Sequence, residues 1–198
     1  SIFGDRQTVA RLFGLPEYRF RYIGPWVGGS FGGKYGPKDD PIGIILAQKT
    51  GRPVKIIKSR REYFTNHETR LHIRVNIKDG FKRDGTIVAR QIDLKLDIGA
   101  YSQIGGGAIK TTSLAAVGSY RIPNFRLEAV GYYTNLPKSS AMRGIGTPEL
   151  LSALEQQMDI AAEQLNIDPV TIRKKNMLKK GDVDVCGQAM RSLSLIHI

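Results

Sequence analysis

Cysteine is almost missing from this 198-residue chain, in which Cys186 stands alone. One thiol excludes an internal disulfide and leaves too few thiolates for a zinc or iron–sulfur site within these residues, so Cys186 reads as an isolated thiol. Long apolar runs are missing too. No stretch approaches the roughly 20 apolar residues of a membrane-spanning helix, and the residues at the start show no basic segment followed by an apolar one. Negative charge is scarce: 18 Asp and Glu stand against 30 Lys and Arg, a formal net charge of +12. That imbalance invites an acidic partner. The basic residues are nevertheless spread along the chain, in short clusters at Lys58 to Arg61, Lys78 to Arg83 and Arg173 to Lys175. No periodic aromatic platform alternates with them, which argues against nucleic acid and for solvated faces or a docking face. The chain begins with Ser1 rather than Met, so a processed start or a piece of a longer protein is expected.

What is present is enough for one sizeable core or two small ones, since 41% of the residues are apolar. Gln7 to Phe13 reads as the end of a helix closed by Gly14 and Pro16. Tyr18 to Ile23 alternates apolar residues with Arg, and Val54 to Ile57 is a compact apolar run; both read as strands. Between them lie a glycine-dense loop, Gly24 to Gly36, and a helix from Asp39 or Asp40 and Pro41 to Gly51. This order predicts an α/β layer. Strict alternation over Leu71 to Ile77 and Ile87 to Ile98, with Asp79-Gly80 and Asp84-Gly85 between, predicts a long antiparallel hairpin. Phe125 to Tyr133 is a further strand. Leu150, Leu154, Met158, Ala161 and Leu165 share one face of a helix opened by Pro148 and Glu149, and Asp168-Pro169 starts another. The fold class expected is α+β, with mixed α/β layers.

Two segments carry chemistry. In Gly28-Gly29-Ser30-Phe31-Gly32-Gly33-Lys34, four glycines let backbone N–H groups approach an anionic or polar group closely. It is neither a dinucleotide fingerprint nor a P-loop, because the required spacing and the Gly-Lys-Ser/Thr step are absent. In Ala141-Met142-Arg143-Gly144-Ile145-Gly146-Thr147-Pro148-Glu149, an Arg precedes a helix start, whose free N–H groups and positive dipole suit an anion. Each alone is equally well a structural turn or a helix entry with an exposed Arg.

Together with Thr50-Gly51-Arg52-Pro53-Val54, these segments resemble the molybdopterin-binding subunit of the xanthine dehydrogenase and aldehyde oxidase family. The family's pattern is G-G-G-F-G-G-K, then T-G-R-P-V, then N-L-P-x-x-x-x-R-G-F-G-x-P-[EQ]. Here it stands as GGSFGGK at 28–34, TGRPVKI at 50–56 and NLPKSSAMRGIGTPE at 135–149, and the likeness runs from Gln7 to Arg191. The resemblance implies a partial molybdenum-cofactor-binding domain over residues 1–191. It also implies a molybdenum held by the dithiolene of a pterin, with Phe31 and Arg143 near the metal through backbone groups and Gly32 and Gly33 as neighbouring contacts. Arg70 matches a position whose guanidinium orients oxygenated substrates.

Two departures bear on substrate. Where xanthine-type members have Glu after the Lys of the first motif this chain has Tyr35, and where they have a ring-stacking Phe it has Ile145. A phenol does not take a carboxylate's part near neutral pH, and an aliphatic side chain does not stack on a purine. The implied activity is oxidative hydroxylation of an aldehyde or aromatic heterocycle with water as oxygen source. It would work with [2Fe-2S] and FAD subunits or domains, in a hetero-oligomer, in the cytoplasm or the periplasm. The family's general base, a Glu near the C-terminal end of the full subunit, has no match in Glu62, Glu68 or Glu149, so no catalytic residue is assigned, and this piece alone is expected to be inactive. His67 and His72 lack the carboxylate or thiolate spacing of a metal set. The competing reading is a non-catalytic basic module docking an acidic protein.

Residues 192–198 follow a different logic. Leu193 to Ile198 match the translation of a common sequencing adapter, so this tail is expected to be non-native and His197 takes no part in site reasoning.

Overall fold

The computed structural model describes residues 2–191, and the tail expected to be non-native lies outside them. The described chain divides into two units. One runs to Glu68 and adds Ala141–Arg143; the other holds Thr69–Ser140 and continues from Gly144.

The second unit is built on three strands: β1 (His72–Phe81), β2 (Ile87–Gly99) and β3 (Phe125–Tyr133), in the order β1-β2-β3. β1 and β2 form the antiparallel hairpin that the alternation predicts, Val75 opposite Leu94 and Ile77 opposite Ile92. β3 pairs with β2 in parallel. A parallel neighbour needs a crossover, and it is made by helix α4 (Gly105–Ala115), which the run Gly105-Gly106-Gly107 hides from sequence reasoning. Period 2 puts Ile73, Val75 and Ile77, Ile92, Leu94 and Leu96, and Leu127 and Ala129 on one face. Leu150 and Leu154 of helix α5 (Thr147–Leu165) complete that core, and both are at most 1% exposed.

A second cluster joins Met158, Ala161 and Ala162 of α5 to Ile172 of the last helix, Pro169–Asn176. Asp168 caps this helix by accepting from the Thr171 N–H at 2.8 Å. Near its end the buried Asn176 accepts from the Ile87 N–H at 2.8 Å and donates to Gly85 O at 2.7 Å, fastening it to the β1–β2 turn. Asp79 and Arg90 form a bidentate ion pair, 2.8 and 2.6 Å, with both side chains fully buried.

The first unit has helices α1 (Ile2–Phe13), α2 (Asp40–Thr50) and α3 (Arg60–Asn66). Gly51 closes α2 in the left-handed region, and Ser59 with Glu62 forms a capping box on α3. The two strands expected here are not paired. Glu17–Arg19 is a single 3₁₀ turn, and residues 20–23 and 53–58 belong to no helix or strand. Alternation makes a segment fit for a sheet, but a strand exists only once its backbone groups find a neighbour.

Candidate functional site

The glycine loop and Arg143 come together within the first unit. The Arg143 N–H donates to Phe31 O at 2.9 Å, and its guanidinium lies 5.9 Å from the Phe31 ring centroid. Gly32 sits at φ 108°, and a Cβ there would overlap the carbonyl of Ala141. Two chain segments more than 100 residues apart in sequence therefore touch backbone to backbone, which only glycine permits at that point. Inside the loop, the Gly33 N–H donates to Ser30 O at 2.8 Å and the Tyr35 N–H to Gly32 O at 3.1 Å. Among the described residues, no protein acceptor takes the N–H groups of Gly28 to Gly32, and Arg143, which is exposed, makes no ion pair.

Behind the loop is a polar brace that sequence reasoning did not find. The Tyr63 hydroxyl is 3.2 Å from His67 Nε2, and His67 Nδ1 is 3.3 Å from Glu68, which also pairs with Lys38. A Cβ on Gly33 would lie 3.1 Å from the Tyr63 hydroxyl and 3.3 Å from His67 Nε2. The local signal was the i, i+4 spacing of Tyr63 and His67 on α3 and the turn beyond it. The three carboxylates weighed as bases all have structural partners. Glu62 belongs to the capping box, and its hydrogen bond with the Ser59 side chain holds its pKa below the usual range. Glu68 is in the brace, and Glu149 pairs with Arg70 at 2.5 Å. Among the described residues no group of three His, Cys, Asp or Glu side chains is placed to hold a metal ion.

In the second unit, Gly144, Ile145 and Gly146 are all at positive φ, 96°, 45° and 82°. Ile145 packs its side chain against the buried cluster of Leu71, Ile98 and Ala108, while its carbonyl accepts from the Thr112 hydroxyl at 3.3 Å. Phe31 and Ile145 share a rare trait. With the helix cap Asn166 they are the non-glycine residues at positive φ among the described residues, Phe31 at 51°. A β-branched side chain there is held against its own preference, and such strain concentrates at functional sites. Arg70, 39% exposed, is steered by Glu149, the acidic residue of the third motif. Tyr35 is exposed at the end of the glycine loop.

The family described as "Molybdopterin cofactor-binding domain" matches residues 1–177. The chain is 35% identical to the xanthine dehydrogenase molybdenum-binding subunit of Escherichia coli, over 90% of this chain and 24% of that protein. It is 35% identical to the nicotinate dehydrogenase large molybdopterin subunit of Eubacterium barkeri, over 98% of this chain and 46% of that one. The solved aldehyde oxidoreductase of Desulfovibrio gigas superposes with a TM-score of 0.91 at 32% identity, over 98% of this chain and 21% of its own. The chain thus spans less than half the length of each.

Proposed function

The chain belongs to the molybdopterin cofactor-binding domain family, and from that premise we propose that it is the cofactor-holding part of a molybdenum hydroxylase catalytic subunit. The observation that carries this reading is the pinned pair of loops. Free N–H groups of Gly28 to Gly32 and the unpaired Arg143 guanidinium make a cationic donor set around strained Phe31, which fits an anionic, oxygen-rich pterin cofactor. When bound, the cofactor supplies a two-electron acceptor for R–H + H₂O → R–OH + 2 e⁻ + 2 H⁺.

The chain's own residues hold and select. Phe31, Gly32, Gly33 and Arg143 would hold the cofactor, Phe31 and Arg143 facing its molybdenum through backbone groups. Arg70 orients an oxygenated substrate and is kept in place by Glu149. Tyr35 and Ile145 stand where a purine hydroxylase has Glu and Phe, so the substrate is an aldehyde or a heterocycle other than a purine. Electrons leave to [2Fe-2S] and FAD carriers on partner subunits or domains of a cytoplasmic hetero-oligomer. The reading of the chain as a non-catalytic docking module has no support among the relatives, whose names are those of oxidoreductases. No helix among the described residues is long and apolar enough to cross a membrane.

The test is to express the complete gene product and measure its molybdenum with aldehyde and heterocycle oxidation. Stoichiometric metal, lost in Arg143→Ala and in Gly32→Val, is the expected result. A complete product that is metal-free, or whose metal content ignores both substitutions, defeats the proposal.

A further inference from the structure

In the second unit, the turn that leads into α5 runs through three successive positive φ values, at Gly144, Ile145 and Gly146. Glycine takes that conformation freely, but a β-branched residue rarely enters it, so Ile145 is held there by its neighbours. A Cβ on Gly144 would lie 2.6 Å from the Pro148 ring, and one on Gly146 2.3 Å from Thr112 Oγ1. The Ile145 side chain packs against Leu71, Ile98 and Ala108.

Two of these neighbours share one face of α4. Ala108 and Thr112 stand about one turn apart on it, and both are fully buried. Ala108 meets the Ile145 side chain, and Thr112 meets its backbone. The Thr112 hydroxyl donates to Ala108 O at 2.8 Å, the ordinary bond of a helical threonine to the carbonyl one turn back. It also reaches Ile145 O, at 3.3 Å, and no other protein donor among the described residues does so. Nothing in the helix requires that second contact. Valine would fill nearly the same space in α4; what threonine adds is a hold on Ile145. The turn in its turn seats α5. Gly146 O accepts from the Leu150 N–H at 3.1 Å, and Glu149, in the first turn of the helix, pairs with Arg70 at 2.5 Å. Contacts thus run from Thr112 through Ile145 and Gly146 to Glu149 and Arg70, all inside the second unit.

We propose that Thr112 is a positioning residue for substrate: by fixing the Ile145 carbonyl it sets the first turn of α5, and through Glu149 it aims the Arg70 guanidinium. This rests on the reading that Arg70 orients an oxygenated substrate. Thr112 is itself buried and acts only through the turn. What it serves is recognition of a substrate oxygen, above all a carboxylate, by a planar guanidinium whose direction must be fixed for the bond to form well.

The complete gene product, with Thr112→Val, Thr112→Ser and Gly146→Ala, tests this. Thr112→Val keeps the shape and deletes the hydroxyl. The KM of an aromatic aldehyde bearing a ring carboxylate should rise about tenfold and that of the same aldehyde without the carboxylate about twofold at most, with kcat little changed. Thr112→Ser keeps the hydroxyl and should keep both values near wild type. Gly146→Ala disturbs the same contact from the other side, so it should repeat the selective loss even if the valine variant does not fold. Amide exchange reads the turn without substrate or metal. The Leu150 amide should exchange about tenfold faster in Thr112→Val and Gly146→Ala, while the amides of β1–β3 stay protected as the control for folding. Equal loss for the two aldehydes, a serine variant that behaves like the valine one, or Leu150 exchange indifferent to the substitutions each overturns the role of Thr112. A wild-type product that lacks molybdenum removes the proposed function instead, and the Leu150 amide then still decides whether Thr112 fixes the turn.

Discussion

In the unit built on β1–β3, Ile92, Leu94, Leu96, Leu150, Leu154 and Met158 are at most 1% exposed, whereas in the unit carrying the glycine loop Trp26 is fully exposed and Phe64 78% exposed. Both units are rich in apolar residues. Among the described residues only Val9 and Ala10 are buried in the first, so its exposed large side chains each forgo roughly 1.5–3 kcal/mol of burial. The difference lies in pairing, not in composition. A strand that finds a neighbour lines its alternate side chains into one face that helices can cover; an extended segment without one leaves them scattered. The comparison teaches that the described first unit, which carries the glycine loop, has little buried interior of its own, whereas the sheet unit has a closed one.

Four measurements break or sharpen that contrast. The largest effect is expected from Asp79→Ala, which leaves the Arg90 guanidinium buried and unpaired in the sheet unit and should lower its unfolding free energy by about 3–5 kcal/mol in urea titrations. Next, Asn176→Ala orphans the buried Ile87 N–H and Gly85 carbonyl and should remove about 1–3 kcal/mol from the same transition. A wild-type midpoint in either variant would deny the sheet unit its dependence on a closed polar and apolar interior.

A smaller effect is expected from acid. Asp84, Asp159 and Asp168 are held below the usual aspartate range chiefly by hydrogen bonds with Lys175, Arg173 and the Thr171 backbone, respectively. A depressed folded pKa gives stability that is present above the ordinary value of about 4 and is lost as pH falls through the folded one. Unfolding free energy should therefore be level from neutral pH down to about 5 and fall below about 4, and Asp168→Asn should flatten part of that fall. The least effect belongs to the first unit. Trp26, the chain's one tryptophan, should emit as a water-exposed indole and barely shift in urea while circular dichroism reports the loss of β1–β3; a blue-shifted native emission would mean that this unit has a core after all.

Much of the fold was legible. The alternation of β1 and β2, the apolar stripe of α5 and the caps at Gly51 and Asp168 are local signals, and the structure bears them out. The glycine loop and the Arg143 segment were legible as motifs, but their contact through Phe31 O was not, because hydrogen bonds between residues more than 100 apart leave no periodicity. Helix α4 was lost behind three glycines, and the brace of Tyr63, His67 and Glu68 behind residues that look ordinary one at a time.

The sequence by itself determined which segments alternate, which turn, and which family motifs the chain bears, since side-chain period, glycine and proline act over a few residues. Tertiary structure alone decided that β3 runs parallel to β2, that Glu149 holds Arg70, and that Arg143 docks with Phe31 while Ile145, two residues on, packs into the sheet unit's core. Those outcomes depend on which distant surfaces exclude water from each other, a property of the closed chain that no short window of residues contains.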